Sequence, residues 1–333
     1  MAEEGQNQWI SRRSSHNFLS LIDHPNINRL HKTEGRSRFF PLSRAESRIA
    51  ENVVSCQQHF QAHETDTILA SFPKCGTTWL KALIFAVANR SKHPLIESPL
   101  LSTSPHAFVP SLEFQIYRKP PLFNLQDIPS PRILSTHLPY SALPASIKTN
   151  SQYKLIYIYR NIPWTSSSPW HFASSLQSKN HYSISLDEWS KKYCISGITP
   201  FGPFWDHMLL GYWKASQEKP GQVLFLKYEE LKEDDVFYVK KLAEFLGVPF
   251  SMEEERDGMP EQISRLCSFE NLKDLEVNKS GKIDDQSLFH NKQYFRKAKV
   301  GDWSNYLSSS VAEALKKLMH DTPEGSGLTF KTS

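Results

Sequence analysis

The chain has 333 residues, of which 39% are hydrophobic and 12% aromatic, enough to enclose one large core or two intimately packed parts. Its net charge of +4 suits a small polyanionic ligand and sets aside nucleic acid, which calls for a clustered basic face. The four cysteines, Cys56, Cys75, Cys194 and Cys267, show no CxxC spacing, so neither a zinc site nor a redox pair is indicated.

Residues 1–48 carry Arg12, Arg13, Arg29, Lys32, Arg36, Arg38, Arg44 and Arg48 with few acids. They are expected to form a basic, flexible N-terminal segment ahead of one domain spanning 49–333. Arginine- and serine-rich, acid-poor composition also marks transit peptides, but Glu3 and Glu4 oppose that reading. No apolar h-region of a secretory signal opens the chain, and reduced thiols suit the cytosol. The longest apolar run, Ala82 to Ala88, is far too short to span a bilayer. The sequence thus points to a cytoplasmic protein with no membrane partner.

Asp66 to Phe72 reads as a buried strand and Pro73 to Gly76 as a turn. Thr77 to Asn89 follows as a helix, with Leu80, Leu83, Ile84 and Val87 at helical spacing. Arg132 to Thr136, Lys154 to Tyr159 and Gln222 to Tyr228 read as three further strands. Val236 to Leu246 is an amphipathic helix closed by Gly247, a good C′ residue. Strands alternating with helices predict an α/β fold, a single domain whose central parallel sheet is flanked by helices. No internal repeat or low-complexity tract interrupts it.

In such sheets, ligands sit beyond the carboxyl ends of the strands. A cation, a base and a second cation (Lys74, His137 and Arg160) follow three candidate strands. Around Lys74, a helix start offers unpaired backbone N–H groups and a partial positive charge, a ready anion site. Gly76 permits close backbone approach, Thr77 and Thr78 add hydroxyl donors, and Lys74 supplies a movable cation. The nucleoside-triphosphate loop GxxxxGKS/T is not present, since Lys74 precedes Gly76. No strand ends in a magnesium-holding aspartate, so metal-dependent phosphoryl transfer is disfavoured and no metal is expected. Thirteen histidines make any one of them more often structural than catalytic. His137 stands out by its place at a strand end, where a general base could activate a hydroxyl.

The sequence resembles the plant soluble sulfotransferases. Four stretches carry the likeness: Phe72–Leu83 (FPKCGTTWLKAL), Ser135–Tyr140 (STHLPY), Leu266–Asp274 (LCSFENLKD) and Tyr294–Trp303 (YFRKAKVGDW). Milder similarity at Pro105–Pro110 and Phe225–Lys232 extends it from about Asp66 nearly to the C-terminus. The resemblance implies a P-loop nucleotide-kinase-like sulfotransferase fold. It also implies 3′-phosphoadenosine 5′-phosphosulfate (PAPS) as the donor, the bisphosphate PAP as its product, and a small hydroxylated acceptor. Carried over by position, Lys74, Cys75, Gly76, Thr77 and Thr78 hold the phosphosulfate. Trp79, Tyr228, Cys267 and Phe269 approach the adenine. Arg160, Ser168, Arg296, Lys297 and Ala298 bind the 3′-phosphate. His137 is the base, Lys74 also stabilises the leaving group, and His106 and Tyr140 are candidate acceptor contacts.

Two stretches depart from the family pattern. Arg160-Asn161-Ile162-Pro163-Trp164 stands where Arg-Asn-Pro-Lys-Asp is usual, and Pro169 follows Ser168. Pro163 can start a helix, but Pro169 is expected to kink or delay it and turn Ser168 from the phosphate. Ala298 replaces a glycine, and alanine tolerates positive φ poorly. A relative with weak or lost activity, and an enzyme whose sulfonation triggers rearrangement of the acceptor, are the alternative readings. Related plant enzymes act on flavonols, hydroxyjasmonate, steroids or desulfo-glucosinolates. Phe108, Tyr140, Trp170 and Phe172 suggest an apolar or aromatic acceptor here. Ser304 replaces a lysine of the animal dimer pattern, which leaves monomer and homodimer both open.

Overall fold

A computed structural model describes residues 44–149, 152–161, 167–172, 174, 185–195, 201, 204–283, 290–321 and 325–330. Residues 1–43 lie outside them. Helix α1 (Arg44–His59) runs across the boundary placed at residue 48 and buries Val53 and Cys56. The main chain then enters β1 (Thr67–Ser71) and α2 (Thr77–Asn89), followed by β2 (Ile133–Thr136), β3 (Lys154–Tyr159) and β4 (Val223–Lys227). Helix α3 (Asp235–Leu246) ends on Gly247 at φ 77°, the left-handed stop expected of it. Helix α4 (Met259–Leu266), α5 (Phe269–Asp274) and α6 (Ser309–Asp321) complete the longer elements used below.

The four strands pair in the order β2-β1-β3-β4, all parallel. Leu69 faces Ser135 on one side and Ile156 on the other, and Ile156 faces Leu224. The period-two alternation of a strand divides the sheet into two faces. Ile68, Ala70, Leu134, Leu155, Tyr157 and Tyr159 join one buried cluster. Leu69, Ile133, Ile156, Ile158 and Leu226 join the other, against Leu80, Leu83, Ile84 and Val87 of α2 and Val239 and Leu242 of α3. Both faces are therefore covered, which is why these strands read as continuous apolar runs. The result is a single α/β domain with a central parallel sheet.

At the amino end of the sheet, Arg132 forks onto Asp66, with Nε 2.8 Å from Oδ1 and Nη2 on Oδ2. Both side chains are buried, and the pair ties the entry of β1 to that of β2. Loss of one partner would leave a buried charge unmatched.

Candidate active site at the carboxyl edge of the sheet

The loop between β1 and α2 holds two left-handed residues, Lys74 at φ 68° and Gly76 at φ 102°. A non-glycine residue there costs about 1 kcal/mol, a strain found mainly at functional positions. Gly76 has a second reason to be glycine. A Cβ on it would lie 2.7 Å from Cδ2 of Tyr228 and 3.3 Å from Cδ1 of Ile158. Gly76 also N-caps α2 without any side-chain hydrogen bond, so the first-turn N–H groups of that helix can serve an anion. Thr77 does not turn its hydroxyl freely outward. Its Oγ1 lies 2.7 Å from Oγ of Ser71, beneath the loop.

Lys74 donates to the carbonyl of Gln293 at 3.2 Å and lies 4.3 Å from the Phe172 ring centre. Burial, and then the like charges of Arg296 and Arg160, lower its pKa to about 7. Arg160 follows β3 directly, is buried, and stacks 4.0 Å over the Tyr228 ring. Its Nη2 donates to the carbonyl of Lys299 at 3.2 Å. Arg296 and Lys297 both reach Asp302, at 2.8 Å and 3.0 Å, and Lys297 also reaches the Tyr306 hydroxyl at 2.7 Å. Ala298 adopts φ 50°, the conformation that favours glycine, and its carbonyl accepts from the Tyr228 hydroxyl at 3.5 Å. Lys74, Arg160 and Arg296 thus repel one another, while Asp302 pairs with Arg296 and Glu229 acts on Arg160 in the opposite sense.

Residues 167–172 are helical across Pro169, and Ser168 is buried there. Pro169 stands within that stretch, and the segment leading into it, with Ile162, Pro163 and Trp164, lies outside the described residues. Trp79 meets Tyr228 edge-on at 5.6 Å, and its Nε1 is buried without a hydrogen-bond partner. Phe269 lies 6.3 Å from Phe295, and Cys267 is fully buried in the core behind them.

His137 follows β2. Its Nδ1 lies 2.8 Å from the carbonyl of Ser71. A carbonyl can only accept, so Nδ1 carries the proton and Nε2 presents its lone pair. Burial lowers the His137 pKa against the opposing pull of Glu113, which keeps the ring neutral near pH 7. Phe114 and Phe201 flank it at 6.1 Å and 5.8 Å.

Its main chain is pinned from both sides. Glu113 Oε1 accepts the His137 N–H at 2.7 Å and Oε2 accepts the Thr136 hydroxyl at 3.0 Å. His207 Nε2 donates to the His137 carbonyl at 3.0 Å, while its Nδ1 accepts from the Tyr157 hydroxyl. Burial lowers the His207 pKa to about 3, so it stays neutral. Glu113 and His207 are missing from the sequence reading, and no local motif marks either. Of the other aromatics singled out there, Phe172 meets Lys74, whereas Phe108 stacks on Phe85 and Tyr140 packs edge-on against Tyr212. Trp170 meets His171. His106 is buried, with Nε2 3.1 Å from Thr78 Oγ1 and Nδ1 3.2 Å from Lys81 Nζ.

The sulfotransferase domain family matches residues 64–327. This chain belongs to the sulfotransferase family. Cytosolic sulfotransferase 14 of Arabidopsis thaliana is 42% identical to it, across 100% of this chain and 96% of that protein. A solved Arabidopsis thaliana structure described as a putative steroid sulphotransferase superposes with a TM-score of 0.65 at 37% identity, covering 86% of this chain and 85% of that one. A mouse sulfotransferase complexed with PAP superposes with a TM-score of 0.62 at 27% identity, covering 83% of this chain and 91% of that one.

The sulfotransferase is therefore a transferase of sulfonate groups, and its sheet and flanking helices are those of its solved relatives. The cytosolic location expected from the sequence is the one carried in the name of the Arabidopsis relative. Among the described residues no helix is long and apolar enough to cross a membrane, and no group of three or more His, Cys, Asp or Glu side chains is placed to hold a metal ion.

Proposed function

We propose that this sulfotransferase moves a sulfuryl group from PAPS to a hydroxyl of an apolar, ring-bearing small molecule in the cytosol. The observation that carries the proposal is the bond from His137 Nδ1 to the Ser71 carbonyl. It fixes the lone pair on Nε2, at the sheet edge that also bears the cation cluster of Lys74, Arg160 and Arg296. The residues fit the donor in two respects. Arg160 and Arg296 bring always-charged groups beside Lys74, and Trp79 Nε1 is a buried donor without a partner on the aromatic side of the site.

PAPS, when bound, supplies the sulfuryl group. The chain's residues supply orientation and charge. The first turn of α2 and the hydroxyl of Thr78 hold the anion, and Arg160 with Arg296 offers the planar, always-charged forks that a 3′-phosphate needs. Trp79, Tyr228 and Phe269 offer ring faces or edges to a purine. His137 Nε2 accepts the acceptor's hydroxyl proton during attack. Lys74 places positive charge where a leaving phosphate oxygen gains negative charge, so catalysis rests on positioning and electrostatics. Phe114, Phe201 and Phe172 crowd the base and the lysine, which favours an acceptor with an apolar or aromatic body.

The test is incubation with PAPS and a panel of hydroxylated flavonoids, steroids and oxylipins, read by product mass. A product heavier by one SO3 group, formed by the wild type and not by His137→Ala, supports the reading. Turnover unaffected by His137→Ala would remove the histidine from its role. A product lacking sulfur but rearranged would show that sulfonation activates the acceptor rather than decorating it.

A further inference from the structure

We propose that Lys81 and His106 are positioning residues that aim the hydroxyl hydrogen of Thr78 at the bound donor. The inference rests on the PAPS reading of the loop and extends it to two residues behind the loop.

Thr78 and Lys81 are three apart on α2 and so project from the same side of the helix. His106 bridges them. Lys81 Nζ lies 2.7 Å from the carbonyl of Val109 and 3.2 Å from His106 Nδ1. Below pH about 7 Lys81 is protonated, and a protonated amine has no lone pair, so both neighbours then accept from it. His106 Nδ1 is then an acceptor, and the ring proton resides on Nε2. That proton faces Thr78 Oγ1 at 3.1 Å. A hydroxyl that accepts from the histidine keeps its own hydrogen to donate elsewhere, and Thr78 stands in the first turn of α2 where the anion is placed.

The surroundings favour this order. Burial holds His106 well below its ordinary pKa, with the charges of Lys81, Lys74 and His137 acting the same way, so the imidazole is neutral. Burial lowers Lys81 to about 7 against the pull of Glu113, so the amine is charged, and this order fixed, on the acid side of that value. Gln115 Nε2 donates to the His106 carbonyl at 3.2 Å, and Gln115 Oε1 accepts the Ser111 N–H at 2.7 Å. The Tyr294 ring covers the imidazole at 4.1 Å. The histidine is therefore held in place by its main chain, its ring face and both ring nitrogens.

Nitrogen-15 spectra of the protein alone at about pH 6, where Lys81 is charged, should show His106 as the Nε2–H tautomer, passing to a tautomer mixture in Lys81→Met. Calorimetric titration with PAP should show His106→Phe and Thr78→Val each weakening binding roughly tenfold, the loss of one hydrogen bond to a charged group. The double variant should bind no worse than Thr78→Val, because the histidine acts through the threonine. His106→Gln, whose amide nitrogen can replace Nε2 as donor, should keep most of the affinity. An Nδ1–H tautomer in the wild type, or additive losses in the double variant, overturns the relay. Wild-type protein that shows the expected tautomer yet binds no PAP overturns the donor reading of the loop, and with it the purpose assigned to the relay.

Discussion

Glu113 holds His137 by the backbone, with Oε1 2.7 Å from the His137 nitrogen and Oε2 on the neighbouring Thr136 hydroxyl. Two acceptor oxygens meet two donors, whereas a glutamine offers one acceptor, and its amide nitrogen would force the Thr136 hydroxyl to accept and redirect its own hydrogen. Glu113→Gln should therefore lower stability by about 1–3 kcal/mol. It should also lower kcat by as much as about 10²-fold through misplacement of the base, with acceptor KM little changed. Thermal melts alongside steady-state kinetics check both parts. His207→Phe, which removes the donor on the His137 carbonyl, should show the same split between kcat and KM.

The lowered pKa of Lys74 sets a pH dependence of binding. In the protein alone this lysine loses its proton as pH rises through about 7. A bound polyanion favours the charged form, so binding at pH 8 should take up protons, and affinity should fall as pH rises from 7 to 8.5. Calorimetry in two buffers of different ionisation heat measures the uptake. Lys74→Met should abolish most of it.

The same groups set a pH dependence of stability. Lys74 and Lys81 both fall to about 7 in the folded chain, against roughly 10.4 when unfolded. Between those values the unfolded chain binds more protons, so stability rises with pH. The trend should be visible from pH 7 to about 8.5, before unfolded thiols begin to ionise. Melting temperatures across that window test it, and a flat or falling profile contradicts it.

Backbone conformation makes two opposite forecasts in the loops around Tyr228. Gly76→Ala combines φ 102° with a Cβ 2.7 Å from the Tyr228 ring, and should cost stability and weaken PAP binding together. Ala298 already pays for φ 50°. Ala298→Gly should raise stability by up to about 1 kcal/mol. Denaturant melts of the two variants should move in opposite directions.

At the far end of the sheet, Asp66→Asn should cost about 3–5 kcal/mol by leaving Arg132 buried and unmatched. In the fraction that remains folded, turnover should be that of the wild type, because the pair lies at the opposite edge from the site. Denaturant melts with activity per folded molecule separate the two effects.

The framework was legible because its signals are local. Helix α2 was readable from its apolar period, and the strands as short apolar runs closed by turn residues, which differ from the observed strands by at most a residue at each end. Lys74, His137 and Arg160 were readable because parallel topology gathers strand ends at one edge. Glu113 and His207 were not. They stand 24 and 70 residues from His137 and project from π-helical turns, Leu112–Ile116 and Asp206–Trp213, which no helical or alternating period announces. The inward turn of the Thr77 hydroxyl was equally hidden, since it depends on where the end of β1 places Ser71 beneath the loop.

The central claim is that the cation cluster of Lys74, Arg160 and Arg296 is a site for PAPS. It is tested most directly by calorimetric titration of the full chain with PAP, beside Lys74→Ala and Arg160→Ala. The expected result is tight, one-to-one binding by the wild type, weakened in both variants and most in Arg160→Ala, whose guanidinium is assigned to the 3′-phosphate. Wild-type protein that binds no PAP, or variants that bind it as well as the wild type, would contradict the account.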